Sequence, residues 1–312
     1  MISYEFIRSI EPKDLRELAN AFYLENFKYR RDRTSRIKEL DKWCRKHITL
    51  KKREISPDGK VVERAYSYED VACALPAELK DLKEDMYLHG TALRDTDITE
   101  YVTKCLYEKM RDSAKAKLMG WLEGRNVLTC PYCNHNYILY DARSKPKLNT
   151  GQLDHYYPKS KYPILAASFF NLIPACSTCN LAKSDKSLAF YPYKAIPHNR
   201  IMNFRYELLG VGEKHKTKLE LKGVTKNFED DIAQLRLDAL YQKHLPRADE
   251  LARKYEIYSD EYFQRMGKEF SLDPEYLKRL TFAAELEPES FLARPLSKFT
   301  YDVLKCVREW LK

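Results

Sequence analysis

Two pairs of cysteines have the spacing of metal ligands. Each pair is a CxxC turn, with Cys130 and Cys133 in the first and Cys176 and Cys179 in the second. Two such turns supply the closed tetrahedral set of soft thiolates that zinc prefers. Because a closed set leaves no position for water, we predict a structural Zn²⁺ ion. His135 could replace one cysteine, but four thiols need no fifth ligand, so we interpret it as a loop residue.

Polar residues between and just after these cysteines could carry acid–base and metal-ion chemistry. A neutral imidazole is the natural general base near pH 7. Carboxylate and amide oxygens suit Mg²⁺ better than zinc. Because successive strand residues point to opposite faces, an Asp-His pair can act together only where a strand bends or ends, so we expect the histidine at a strand terminus. The set comprises Asp154, His155, Asn171, Asn180 and Lys183.

This pattern resembles the HNH (ββα-metal) nuclease family. Asparagine replaces the third histidine of many members, which gives the HNN variant also seen in the HNH domain of the RNA-guided CRISPR nuclease. The resemblance implies that His155 deprotonates the attacking water and that Asn171 accepts a hydrogen bond from its ring. It also implies that Asp154 and Asn180 bind a catalytic Mg²⁺ (or Mn²⁺) ion. Lys183 would contact phosphate; the alternative is a solvated charge at the end of a helix.

A narrower resemblance involves the sequence around this motif. The run DHYYPKSKYP, the later Asn-Leu and CxxCN segments and a Tyr-Pro-Tyr tripeptide are similar to the HNH nuclease subunits of Septu-type anti-phage systems. Those subunits work with a partner ATPase. The motifs cover about residues 128–193, so the flanking regions carry no family signature of their own. The resemblance implies a defence role, an ATPase partner and flanks that dock it or hold nucleic acid.

The positive charge is concentrated near the N-terminus. The chain has a formal net charge of +9, and Lys28 to Glu54 holds twelve lysines and arginines against four acids. A basic block suits a polyanion such as nucleic acid. The alternatives are a solvated helix face or a surface for an acidic partner protein. The residues predicted to contact nucleic acid are Arg30, Arg31, Arg33, Lys159 and Lys161.

Hydrophobic periodicity divides the chain into three regions and predicts an α+β fold. Residues 1–125 form a mainly helical region, whose first helix begins near Pro12 and which contains a hairpin within 48–68. Residues 126–200 form the nuclease module, and residues 201–312 form a hairpin followed by helices. In this arrangement, helical N- and C-terminal regions flank a small zinc-stapled ββα-metal module.

Two local elements are predicted next to the site and beyond it. A short helix from Ser177 to Ser184 would place the second cysteine pair and the second asparagine of the motif on adjacent faces. The sequence of residues 201–224 predicts a hairpin with glycines near its turn. We expect a cytoplasmic protein, because no segment resembles a signal peptide or a membrane span.

Three functions remain open from the sequence. A metal-dependent endonuclease acting on DNA explains every motif. An RNA-cleaving toxin, for example one that acts on tRNA, has the same chemistry, because such a site contacts backbone phosphate rather than bases. A non-catalytic zinc-ribbon module that binds nucleic acid explains the cysteines and the basic block but not the polar residues between them.

Overall fold

The structure is a computed structural model that combines many helices with small antiparallel sheets. It confirms the predicted α+β class, and within the described residues the strands form four separate two-stranded sheets. The described residues are 1–28, 34–89, 96–141, 143–209 and 216–311. Three predicted nucleic-acid contacts lie outside them, namely Arg30, Arg31 and Arg33.

Helices dominate the N-terminal region, as predicted. The first begins at Pro12, where a proline has no N–H to lose. A π-helical segment, Tyr101–Tyr107, leads directly into α6. The helices are α1 (Pro12–Tyr23), α2 (Thr34–His47), α3 (Tyr68–Ala72), α4 (Pro76–His89), α5 (Thr96–Glu100) and α6 (Glu108–Glu123).

The predicted N-terminal hairpin is confirmed. Strands β1 (Lys51–Ile55) and β2 (Val61–Ala65) pair antiparallel. Gly59 in their turn has φ of +81°, a conformation that glycine adopts without strain. Helix α3 follows at once, and Ser67 and Asp70 form a capping box at its start.

The central unit consists of two antiparallel strands followed by a helix. Strand β3 (Tyr140–Asp141) pairs with β4 (Leu148–Asn149), and β5 (Gly151–His155) then pairs with β6 (Leu172–Cys176). Helix α7 (Ser177–Lys183) begins directly after β6 and matches the predicted helix. The connection between β5 and β6 contains two short 3₁₀ turns and is largely buried.

The C-terminal region begins with the predicted hairpin. Strands β7 (Met202–Leu209) and β8 (Lys216–Gly223) pair antiparallel, while the glycines expected near their turn lie outside the described residues. Prolines lie in the first turns of two of the following helices. These helices are α8 (Lys226–Gln234), α9 (Leu237–Gln242), α10 (Leu245–Ile257), α11 (Asp260–Phe270), α12 (Pro274–Phe282) and α13 (Ser297–Trp310).

One hydrophobic core runs through all three regions. Backbone hydrogen bonds also cross between them: the N–H of Ile2 donates to the carbonyl of Pro131, and the N–H groups of Leu128 and Thr129 donate to the carbonyl of Leu292. The first cysteine turn is therefore fixed to both ends of the chain. In the part of the chain that the structure describes, no helix has the length and apolar character needed to span a bilayer.

Candidate functional site

The four cysteines of the two CxxC turns converge into one buried cluster. Their Sγ atoms all lie within 4.8 Å of one another, and the Cys133 and Cys176 sulfurs are 3.9 Å apart. A tetrahedron with Zn–S bonds of about 2.3 Å has edges of about 3.8 Å. The geometry therefore fits one zinc ion held by Cys130, Cys133, Cys176 and Cys179, none of which forms a disulfide.

Hydrogen bonds in the cluster favour the thiolate form of Cys176 and Cys133, whereas burial raises the pKa of Cys130 and hydrogen bonding with Cys130 raises the pKa of Cys179. The side chain of Asn136 donates to the Cys176 sulfur at 3.4 Å, and the backbone N–H of His135 donates to the Cys133 sulfur at 3.4 Å. Hydrogen bonding within the cluster, that from Cys130 first, lowers the pKa of the Cys176 thiol. The imidazole of His135 packs against another histidine ring and is not part of the cluster.

A buried asparagine anchors the first cysteine turn, and sequence reasoning missed it. Asn134 has φ of +50°, in the left-handed region that asparagine tolerates better than most residues. Its Nδ2 donates to the carbonyls of Phe291 and Arg294 at 2.8 and 3.1 Å, and its Oδ1 accepts the N–H of Lys298. An asparagine directly after CxxC was the available signal.

His155 is the last residue of β5, at the strand terminus where it was expected. Its Nε2 lies 3.0 Å from the carbonyl oxygen of Ala166. A carbonyl only accepts hydrogen bonds, so Nε2 carries the proton and Nδ1 is the basic nitrogen of the neutral ring. Burial lowers the pKa of His155 to about 4, so the imidazole is neutral near pH 7; the same shift makes it a weaker base than a solvated histidine.

The expected hydrogen bond between Asn171 and the His155 ring is absent, and this expectation was wrong. The Asn171 Oδ1 accepts the backbone N–H of Tyr157 at 2.8 Å. Its Nδ2 donates to the carbonyls of Tyr157 and Leu165 at 3.1 and 2.9 Å. Asn171 precedes β6 and faces the chain just beyond the end of β5, so its amide closes the connecting loop instead. It positions the loop that carries the Ala166 carbonyl.

Asp154 lies in the interior beside His155. Only 2% of its surface is exposed. Its Oδ2 accepts the hydroxyl of Tyr132 at 2.7 Å, and its Oδ1 accepts the ammonium of Lys183 at 3.0 Å. Burial raises the pKa of this carboxyl group, and the charge of Lys183 opposes that shift. Two hydrogen bonds occupy two of about four lone-pair positions of a carboxylate, which leaves capacity for a cation.

Both interpretations of Lys183 were wrong. Its side chain is neither a solvated charge nor accessible to phosphate, because it is fully buried. The ammonium forms an ion pair with Asp154 and donates to the carbonyl of His155 at 2.7 Å. The last turn of α7 projects this side chain beneath β5, where it ties the helix to the strand. Lys183 is therefore a positioning residue.

Removing this buried cation should destabilise the protein strongly. Lys183→Met leaves the Asp154 carboxylate buried without its counter-ion, and breaking one partner of a buried pair typically costs about 3–5 kcal/mol. We expect a lower urea midpoint of unfolding. The exposed Lys186→Met, three residues along, is the matched control and should change it little. An unchanged midpoint for Lys183→Met would contradict the structural role.

Asn180 reaches the exposed side of the same strand. Its Nδ2 donates to Oε1 of Gln152 at 2.7 Å, and no described residue donates to its Oδ1. The amide oxygen is thus open to an ion or a water molecule. Asp154 and Asn180 border a common groove, so the two oxygen donors expected to hold Mg²⁺ face the same space. An ion of this kind needs only one or two protein ligands, because waters and phosphate complete its shell.

The groove has a volume of about 1000 Å³ and runs between β5, α6 and α7. His155 borders it, as does Lys159, whose ammonium lies 5.2 Å from the centre of the Tyr107 ring. Lys161 is exposed but does not border it. Of the five predicted nucleic-acid contacts, Lys159 is therefore the one that the described part of the structure brings to the site.

One wall of the groove comes from α6 and the last residue of the π-helical segment before it, outside the motif region, and sequence reasoning missed it. Tyr107, Arg111 and Lys115 all border the groove. The Tyr107 ring meets the His155 ring edge-on, with centroids 4.5 Å apart. These residues recur every four positions, which places them on one face of a helix. That spacing was a usable signal, but nothing in the sequence tells which element the face meets.

Comparison with known proteins finds one short similarity of note. The chain is 31% identical over 92 residues to the Septu protein PtuB of Bacillus thuringiensis. The aligned segment is 28% of this chain and spans only 36% of the length of that relative. No protein-family profile matches the sequence, and no solved structure matches it.

Proposed function

We propose that this protein is a metal-dependent endonuclease of the HNH (ββα-metal) type. The observation that carries the proposal is the state of His155, whose proton on Nε2 is held by a carbonyl while Nδ1 is basic and the ring borders an open groove. Two features support the proposal. Strands β5 and β6 are followed by helix α7, which is the ββα order, and four cysteines converge beside them. A zinc-ribbon binding module would not require a neutral imidazole in such a position.

In this mechanism the protein side chains prepare a water molecule and hold the phosphate. His155 takes a proton from the water on Nδ1, while the Ala166 carbonyl keeps the ring in one tautomer and orientation. Asp154 and Asn180 would hold Mg²⁺, which when bound supplies positive charge to the phosphate oxygens. Lys183 fixes the strand from below, and Asn171 fixes the loop that carries Ala166.

The metal proposal gives a test at Asn180. Asn180→Ala removes one oxygen donor but leaves the fold intact, because this side chain is only partly buried and makes one side-chain hydrogen bond. We expect the Mg²⁺ concentration for half-maximal cleavage to rise by about tenfold or more. A magnesium site has only one or two protein ligands, so the loss of one weakens binding strongly. Titration of cleavage against Mg²⁺ measures this. Thr178→Ala, an exposed residue on the same helix, is the control and should keep the wild-type titration curve.

We propose DNA as the substrate and an anti-phage defence system with an ATPase partner as the setting. The similarity to the Septu protein PtuB supports the defence role. The nuclease chemistry does not depend on the choice between DNA and RNA, because the groove presents groups suited to backbone phosphate. An RNA-cleaving toxin is therefore the second candidate.

One experiment separates these candidates. The purified protein, alone and with any ATPase encoded beside its gene plus ATP, is incubated with plasmid DNA, single-stranded DNA and total RNA. Parallel reactions contain Mg²⁺, Mn²⁺ or a chelator. Metal-dependent cleavage of DNA supports the proposal, and cleavage confined to RNA supports the toxin. If the protein binds nucleic acid equally with Mg²⁺ and with chelator and cleaves none of it, the non-catalytic zinc-ribbon module is the remaining interpretation.

A further inference from the structure

Lys115 of α6 is a buried cation in the wall of the groove. Only 7% of its surface is exposed, although it borders the groove. Its ammonium donates to the carbonyl of Gly151 at 3.0 Å and to Oδ1 of Asn149 at 3.2 Å. Both acceptors are neutral. An ammonium has three N–H donors, so one remains available to a ligand.

No carboxylate of the described residues lies within 4.0 Å of this ammonium, which is unusual for a buried lysine. The ion pairs of the described chain do not include Lys115. The nearest acidic influence is Asp112, which is 77% exposed and paired with Arg111 at 3.6 Å. Burial of an uncompensated charge is costly. An anion in the groove would offset that cost.

Two further features show which anion fits. Arg111 lies one helical turn before Lys115 and borders the same groove. Lys159 approaches the groove from the loop after β5. Three carboxylates also border the groove, but Asp112 is paired with Arg111 and Asp154 with the buried Lys183, which leaves Asp185. Cations at separate points of an open groove suit a chain of phosphates rather than a single small anion, because each can meet a separate charge.

The position of Lys115 also separates it from the reacting group. Its ammonium contacts Gly151, the first residue of β5, whereas His155 is the last. Four residues of extended strand span about 13 Å. Lys115 therefore lies towards the opposite end of β5 from His155, which favours a role in binding over contact with the reacting phosphate.

We propose that α6 is a phosphate-binding wall, in which Lys115 and Arg111 hold the backbone of the substrate strand at a phosphate removed from the one that is cleaved. The proposal rests on the proposed nuclease function and adds to it the element that positions the substrate. It also gives the N-terminal helical region a direct role at the site.

The test measures binding separately from cleavage. All proteins carry His155→Ala, so that the probe, one fluorescein-labelled DNA sequence as single strand and as duplex, stays intact. Affinity is measured by fluorescence anisotropy over a series of salt concentrations. We expect Lys115→Gln and Arg111→Gln each to bind about tenfold more weakly. Each should also lower the slope of log affinity against log salt by about 0.7 to 0.9, the value of one phosphate contact.

Matched variants separate a phosphate contact from a structural tether. Lys109→Gln removes a charge from the exposed face of α6, outside the groove, and should keep the wild-type slope. Lys115→Arg keeps the charge and should keep most of the slope. If Lys115→Gln does not fold, the exposed Arg111→Gln carries the test. Unchanged affinity and slope in both variants, with or without a lower melting temperature, would overturn the proposal.

Failure of this proposal is distinguishable from failure of the nuclease. If the wild-type protein, alone and with the neighbouring ATPase and ATP, cleaves neither DNA nor RNA with Mg²⁺ or Mn²⁺, the nuclease function fails. Binding and its salt slope are still measurable with the inactive protein. A nuclease whose α6 variants keep the full slope would retain its function and lose only the phosphate-binding wall.

Discussion

His155→Ala is expected to abolish cleavage while the protein stays folded and keeps its zinc. Loss of a general base typically lowers the rate by roughly 10²–10⁴-fold. The ring makes one polar contact, to the Ala166 carbonyl, and packs edge-on against Tyr107. Replacing the ring leaves the ion pair between Asp154 and Lys183 and the four-cysteine cluster intact, because neither contains the imidazole.

The measurement is a single-turnover cleavage rate, with zinc content and melting temperature determined on the same preparation. Tyr107→Phe is the matched control, since it keeps the ring beside His155 and removes only a hydroxyl. It should cleave at close to the wild-type rate. Cleavage by His155→Ala within about threefold of wild type would contradict the assignment of the base, because loss of a general base typically has a far larger effect.

Local signals in the sequence were sufficient for most secondary structure near the site. Pro12 begins a helix because proline suits the first helical turn. Ser67 begins another through its capping box. The turn around Gly59 and the end of β5 at His155 follow from similarly short-range rules. Each of these features depends on a few neighbouring residues, and the structure confirms the three that were predicted, namely the helix start near Pro12, the hairpin and the strand end at His155.

What could not be predicted depends on long-range packing. A lysine at the end of a helix is normally predicted to be solvated. Lys183 is buried because α7 packs over β5, where the ammonium pairs with Asp154. The hydrogen-bond partner of the His155 ring is a backbone carbonyl, and every residue has one, so the spacing of side chains in the sequence could not identify it. Lys115 reaches the groove through a contact across 36 positions of the chain.

The predicted zinc cluster links segments that are distant in the chain. Cys130 and Cys133 lie in a turn that is bonded to the N-terminal segment and the C-terminal region, whereas Cys176 and Cys179 join β6 to α7. A metal ion that closes such a long loop stabilises the fold, because it removes conformational entropy from the unfolded chain. The strand that ends at His155 pairs with β6, so its position depends on the cluster.

Cys176→Ser is therefore expected to remove zinc and destabilise the protein as a whole. Structural zinc sites contribute folding free energy directly, and zinc peptides unfold without metal. The wild-type protein should contain about one zinc per chain, which survives chelation mild enough to remove Mg²⁺. Elemental analysis and thermal unfolding measure both quantities. Cys306→Ser, a half-buried cysteine outside the cluster, should keep the zinc and the wild-type melting temperature.

The same variant separates a structural ion from a catalytic one. If zinc acted in the chemistry, Cys176→Ser would remain folded and lose only activity. If the zinc ion instead holds β6 and α7 against the Cys130 turn, the melting temperature must fall together with the zinc content. Cleavage must then be lost as a consequence. A wild-type protein that holds no zinc, or a Cys176→Ser protein with wild-type stability, would show that four converging thiols can be packed here without a metal.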